Sequence, residues 1–257
     1  MKYSLSSNLK HAMPDEIKCP YNRLGDIYDF MKEHPDKRYN ITYSAETVED
    51  RLIQQLEFVK EVAHDYTISC SNFLVLKQLL KDGYPAYLSY PVSDWETFTN
   101  LMSLGVTDIF IDGPIGFQMD KIARAKELSE RKFFVRTCPT VSPNASLSSS
   151  IGVDSFFIRP EDIYLYDNAI DYFEFYADNE DAEKVLYDIY IRGSFLNEIS
   201  LLVPHINTQV MNGLISPDFA KHRCNCGQTC KIPGRRCHYC KSHIQFVDKS
   251  TEYFKLS

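Results

Sequence analysis

The sequence predicts an α/β protein: a (β/α)8 barrel of the TIM type with a small Cys-rich, zinc-binding C-terminal extension. Three observations carry that expectation. Residues 1–200 alternate between short aromatic or β-branched stretches and amphipathic helical ones, in eight units. A doubly wound open sheet would give the same alternation, but no Gly-rich phosphate loop follows any of the strands, which favours the closed form. Finally, Cys224, Cys226, Cys230, Cys237 and Cys240 fall within seventeen residues, whereas the rest of the 257-residue chain holds only Cys19, Cys70 and Cys138.

The elements follow in order. A first strand at 3–8 leads through a loop to a helix at 23–33, and 38–44 is strand two. Leu52, Ile53, Leu56, Val59, Lys60 and Ala63 recur at helical spacing and predict a helix over 48–63. Strand three is 66–70, with its helix at 73–80 stopped by Gly83. Strand four is 86–90, and Ser93 or Asp94 caps a helix over 95–104 that Gly105 closes. Residues 108–112 form a buried fifth strand, followed by an amphipathic helix at 117–130 and strand six at 132–136. Ser, Asn, Pro and Gly crowd 142–152, which reads as a loop in place of a helix. Strand seven is 155–159 with a helical turn at 161–166; strand eight is 171–175, with its helix at 181–192. Pro204, Gly213 and Pro217 then loosen the pattern, so the barrel is assigned to 1–200 and the extension to 201–257.

The cysteine run has the chemistry of a metal knuckle. Thiolates one to four residues apart wrap a tetrahedral Zn²⁺ without long-range help. Cys226 precedes Gly227, where the backbone turns under a ligand sulfur, and Cys237-x2-Cys240 has the commonest pair spacing. The expected ligands are Cys224, Cys226, Cys237 and Cys240, with Cys230 as a substitute for either of the first two. An iron–sulfur cluster is the alternative occupant of four thiolates. A closed four-thiolate zinc site is structural, and it replaces the core that a short appendage cannot build. Cys70 and Cys138, in or at the end of apolar strands, read as small buried hydrophobes.

Charge is distributed unevenly. Residues 219–247 carry six cations and no carboxylate, so the remainder of the chain stands at −13 against a net −7. With four thiolates and one zinc the tail keeps a net charge of about +4. Such a basic module either docks on its own acidic body or meets a protein partner, and nucleic acid is a further partner that its charge admits. The N-terminus has no apolar run of the signal-peptide kind, and no window approaches eighteen apolar residues. No membrane contact is expected, and the chain reads as cytoplasmic.

In a barrel of this type functional groups sit at the C-terminal ends of the strands. Those ends supply Asp112, Arg136, Arg159 and Glu174 as a candidate rim. Two arginines on neighbouring strands suit a carboxylate or phosphate, and Asp112 or Glu174 could act as a base if burial raised its pKa. The same charges equally form two salt bridges, Asp112–Arg136 and Arg159–Glu174. No HExxH, P-loop or Ser-His-Asp arrangement is legible, so whether the chain is an enzyme stays open.

The stretches Leu104-Gly-Val-Thr-Asp-Ile-Phe-Ile-Asp-Gly-Pro-Ile-Gly-Phe, Phe134-Val-Arg-Thr-Cys-Pro-Thr-Val and Ser155-Phe-Phe-Ile-Arg-Pro-Glu-Asp-Ile resemble the barrel of the U32 peptidase-like proteins over about residues 40–195. The resemblance implies a TIM-type barrel. For some members it also implies a role in tRNA or quinone hydroxylation with a four-cysteine iron–sulfur cluster. In this chain the cysteines follow the barrel and are more tightly spaced, and the resemblance assigns no catalytic residue. The expected function is therefore a barrel with a structural zinc site, acting as a binding or scaffold protein through its basic module. The alternatives are an enzyme for an anionic substrate at the rim, or an iron–sulfur protein of the U32 type.

Overall fold

The structure is a computed structural model that describes residues 6–7, 16–111, 113–116, 118–136, 158–174, 180–193, 218 and 221–222. Its sheet has the strand order β5-β4-β3-β2-β1-β8-β7-β6. The strands are β1 (Ser6–Ser7), β2 (Glu16–Pro20), β3 (Arg38–Tyr43), β4 (Asp65–Cys70), β5 (Ala86–Leu88), β6 (Asp108–Ile111), β7 (Lys132–Arg136) and β8 (Tyr172–Glu174). β2 to β5 run parallel, as do β6 to β8, and the two-residue β1 lies antiparallel between β2 and β8. The outermost strands also meet. Thr107 N–H donates to the Ala86 carbonyl at 3.2 Å, Val92 N–H donates to the Phe110 carbonyl at 2.7 Å, and Val92 pairs with Ile111 as a parallel bridge.

Helices fill the crossovers between parallel strands, α1 (Leu24–Glu33), α2 (Asp50–Val62), α3 (Phe73–Lys81), α4 (Trp95–Leu104), the single turn α5 (Gly113–Gly116) and α6 (Met119–Glu127), and α7 (Glu180–Arg192) follows the last described strand. The longer crossover helices bury one stripe at helical spacing, such as Leu24, Ile27 and Met31 on α1, or Leu52, Leu56 and Val59 on α2. These stripes pack on one face of the sheet, where Tyr39, Ile41, Ile68, Ile111 and Phe133 are fully buried. The ends are set locally. Asn72 Oδ1 accepts from Leu74 N–H at 2.8 Å, and Asp94 Oδ1 accepts from Thr97 N–H at 2.8 Å. Gly105, at φ 81°, terminates α4 in a left-handed conformation that a side chain would strain.

Three expectations need correction. Residues 16–20, read as loop, form β2, which pairs with β3 along its whole length. The predicted first strand is described only at Ser6–Ser7, and it runs antiparallel where a (β/α)8 barrel has a parallel strand. The predicted seventh strand does not enter the sheet between its neighbours, because β7 pairs directly with β8. Ile158 and Arg159 lie outside any strand, and the chain turns at once into a 3-10 helix (Pro160–Tyr166); residues 155–157 lie outside the described residues.

Candidate functional site

Side chains alternate across a strand, so one face of this sheet is fixed once the other is known. The helix-facing positions are apolar: Ile17 and Cys19, Tyr39 and Ile41, Ile68 and Cys70, Ile109 and Ile111, Phe133 and Val135. The opposite face is then built from Glu16 and Lys18, Arg38 and Asn40, Asp65 and Thr67, Tyr87, Asp108 and Phe110, Lys132 and Phe134, and Tyr172 and Glu174. Charged groups on a buried face must find partners, because an unpaired charge there is strongly destabilising.

Arg38 is the hub. Its Nε donates to Glu16 Oε2 at 2.8 Å and its Nη2 to Asp108 Oδ1 at 2.6 Å, while its Nη1 lies 3.7 Å from Asp65 Oδ1. The first of these bonds links neighbouring strands. The second joins β3 to β6, which stand far apart in the strand order, so the face is concave enough to bring them together. Two other bonds make the same crossing: Thr67 on β4 donates to Asp108 Oδ2 at 3.4 Å, and Lys132 on β7 donates to Asp65 Oδ2 at 3.1 Å. Across the short β1, Lys18 on β2 pairs with Glu174 on β8. Asn40 Nδ2 donates to Glu16 Oε1 at 3.0 Å and to the Tyr87 hydroxyl at 2.5 Å. Phe134 stacks on Phe110 at 4.9 Å and meets Tyr87 edge-on at 5.4 Å.

The electrostatics follow from this packing. Burial alone would lower the Arg38 pKa; Asp108, Glu16 and Asp65 outweigh it and hold the guanidinium above its ordinary value. Burial raises the Asp108 carboxyl above its usual range, and Arg38 and Thr107 offset this only in part. Tyr87 is pushed well above an ordinary phenol, first by burial and then by the carboxylates of Glu16, Asp108 and Glu174, so it stays protonated. Two open clefts of about 520 and 490 Å³ flank Arg38 and Asp65 at the N-terminal edge, and the enclosed space on the face is a cavity of about 10 Å³ bounded by Glu16, Lys18, Tyr87, Asp108, Phe134, Tyr172 and Glu174. That is close to the minimum for one water molecule and far below a substrate pocket.

Arg38, Asp65, Asp108 and Lys132 are each the first residue of their strand, so the hub occupies the N-terminal edge of the sheet. Ligands of parallel α/β sheets bind at the opposite, carboxyl edge. Through these pairs the network ties β3 to β2, β4 and β6, and β4 to β7.

Of the predicted rim, Asp112 lies outside the described residues. Arg136 ends β7 directly opposite Glu174 in the β7–β8 register. Glu174 is buried at 4% exposure and pairs with Lys18, a cation that the sequence reading did not single out. Arg159 lies in the loop before the 3-10 helix and not on a strand; its guanidinium forks onto Asp162, with Nε–Oδ2 at 2.5 Å and Nη2–Oδ1 at 2.9 Å. Glu174 and Arg136 are thus brought to one edge, and Arg159 is engaged in a local bidentate pair.

All five clustered cysteines lie outside the described residues, as does Cys138. Among the described residues no group of three or more His, Cys, Asp or Glu could hold a metal ion. Cys19 and Cys70 are buried free thiols; burial first of all pushes them up to about 11 and about 12, as befits inert core residues. No described helix is long and apolar enough to cross a membrane.

No protein-family model, curated protein or solved structure matches this chain. Its function must be argued from its own residues.

Proposed function

We propose that this chain is a binding or scaffold protein: a barrel-type α/β body carrying a basic, zinc-stabilised C-terminal module that makes the partner contact. The observation that carries this reading is the interior of the concave face, where Arg38 pairs with Glu16 and Asp108, and Lys18 with Glu174, around an enclosed cavity of about 10 Å³. A body that consumes its interior polar groups in self-pairing is built for rigidity. The bonds from β3 to β6 and from β4 to β7, and the contacts between β5 and β6, support closure of the sheet into a barrel. Closure also accords with the resemblance to U32 peptidase-like barrels. The donor set of the tail, five thiols and no carboxylate within 219–247, suits a closed four-cysteine zinc site held by Cys224, Cys226, Cys237 and Cys240. When bound, the zinc supplies folding energy to the module and no open coordination position.

Metal analysis of anaerobically purified protein tests the zinc: one zinc per chain is expected, and a brown protein absorbing near 400 nm overturns it in favour of an iron–sulfur cluster. A panel of small carboxylates and phosphates tests the scaffold. None should raise the melting temperature in a saturable way; a saturable shift abolished by Arg136→Gln would overturn it. That outcome belongs to the second reading, an enzyme for an anionic substrate at the carboxyl edge. One observation favours that reading: Arg136 and Glu174 lie opposite each other there, with Lys18 paired to the acid.

A further inference from the structure

Among the described residues a surface groove has mainly apolar walls. It lies between α1 and α2, has a volume of about 340 Å³, and is lined by Leu24, Gly25, Tyr28, Met31, Gln55, Phe58 and Val59. Phe58 is 55% exposed although its ring meets Tyr28 edge-on at 6.0 Å, so a large apolar surface is presented to solvent. Within the groove Gln55 Oε1 is buried and accepts no hydrogen bond among the described residues. An apolar cleft with an unmet acceptor inside it fits a segment that offers apolar side chains together with N–H donors.

Charge narrows the choice of occupant. The helices α1 and α2 carry six carboxylates (Asp26, Asp29, Glu33, Asp50, Glu57, Glu61) against three cations (Lys32, Arg51, Lys60). A second copy of this face would bring acid against acid. The basic tail is complementary, and directly after its last cysteine it has Ile244, Phe246 and Val247 between Lys241 and Lys249, with Asp248 as the one carboxylate of that stretch. Reach is sufficient. α7 follows β8, which only β1 separates from β2, the strand that feeds α1. The strands β8 and β2 are thus roughly 10 Å apart. Gly193 and Ile244 stand 51 positions apart in the chain, and even the 30 positions from Gly193 to Arg223, before the knuckle, span that distance many times over if extended.

We infer that the α1–α2 groove is the docking site for residues 241–249 of the same chain. Ile244 and Phe246 enter between Tyr28, Met31 and Phe58, and a main-chain or lysine N–H reaches Gln55 Oε1. The inference rests on the proposed role of the tail and gives it geometry: docking just beyond Cys240 ties the knuckle to the body and leaves Lys231, Arg235 and Arg236 to face a partner.

The test is a photo-crosslink in the full-length, zinc-analysed protein, with p-benzoylphenylalanine placed at Phe58 and, in a second variant, at Tyr28. Illumination should link either position to 244–247 within the monomer, as mapped by peptide mass spectrometry. The yield should fall about tenfold or more when Ile244→Asp and Phe246→Asp are combined, since two buried apolar side chains would be lost. Links to a second copy, links to another segment, or no link in protein with one zinc per chain would overturn docking and leave the zinc module standing. A link in protein that binds no zinc would support docking and overturn the zinc assignment.

Discussion

The two faces of the sheet are chemically opposite, and the inner one is deeply buried at Glu16, Arg38, Asp108 and Glu174 but half open at Asp65, which is 46% exposed. On the helix side the strands present Ile17, Tyr39, Ile41, Ile68, Ile109 and Phe133, which hold through apolar contact with the stripes of α1 to α6. On the concave side the same strands present Glu16, Lys18, Arg38, Asp65, Asp108 and Lys132, which hold through directional pairs. An apolar face tolerates small shifts, because contact is lost gradually. An ionic face fails abruptly, since removing one partner leaves its opposite number charged and buried. The difference suggests a division of labour in which the outer face supplies most of the folding energy and the inner face fixes which strands stand opposite one another.

The largest effect should come from the hub. Arg38→Ala strands Glu16 and Asp108 together and should destabilise the protein by about 3–5 kcal/mol, measured by urea unfolding. In that background Asp108→Asn should do less damage than it does alone, because the two residues share one bond at 2.6 Å. Additive losses would show that the β3–β6 link contributes little, and the division between faces would collapse.

Ile68→Ala on the outer face should follow, at about 2–5 kcal/mol, as a cavity beneath a fully buried strand position. The informative part is the contrast. Ile68→Val should recover most of the loss, whereas Arg38→Lys should recover little, because an ammonium cannot reproduce the fork to two carboxylates. Equal recovery by both conservative variants would mean that shape, and not hydrogen-bond direction, governs the inner face as well.

This contrast also explains what was legible in the sequence. Apolar periodicity reports the helix-facing side, so α1 to α4 and β3 to β8 could be placed, with Asp94 and Gly105 marking the ends of α4. β2 escaped because its inward positions are Glu16 and Lys18, which leaves Ile17 and Cys19 as the whole apolar signal between two prolines. The ionic hub escaped for a related reason. A charge at a strand start usually reads as a solvated flank, and only its recurrence at Arg38, Asp65, Asp108 and Lys132 hints at an inward ring. The candidate rim was half legible. Arg136 and Glu174 follow from strand ends in register, whereas Arg159 was drawn into the set by a strand that does not enter the sheet between β7 and β8.

A weaker probe, asymmetric in pH, finishes the comparison. Cys70 lies on the outer face at 0% exposure with its thiol pushed up to about 12, and Cys19 is pushed up to about 11. Both folded values exceed the ordinary thiol value of 9.0, so the folded state holds these protons more tightly. Their contribution is complete below about pH 9 and is lost as pH rises through 11 and 12. At about pH 8, mapped alkylation should therefore leave both residues unmodified until the protein opens globally, with rates that track its unfolding. Arg38→Ala should speed their modification only as far as it lowers global stability. Rapid labelling of Cys70 in the intact protein would mean that the helix-facing layer opens on its own, and that the inner pairs, not the apolar stripes, carry the fold.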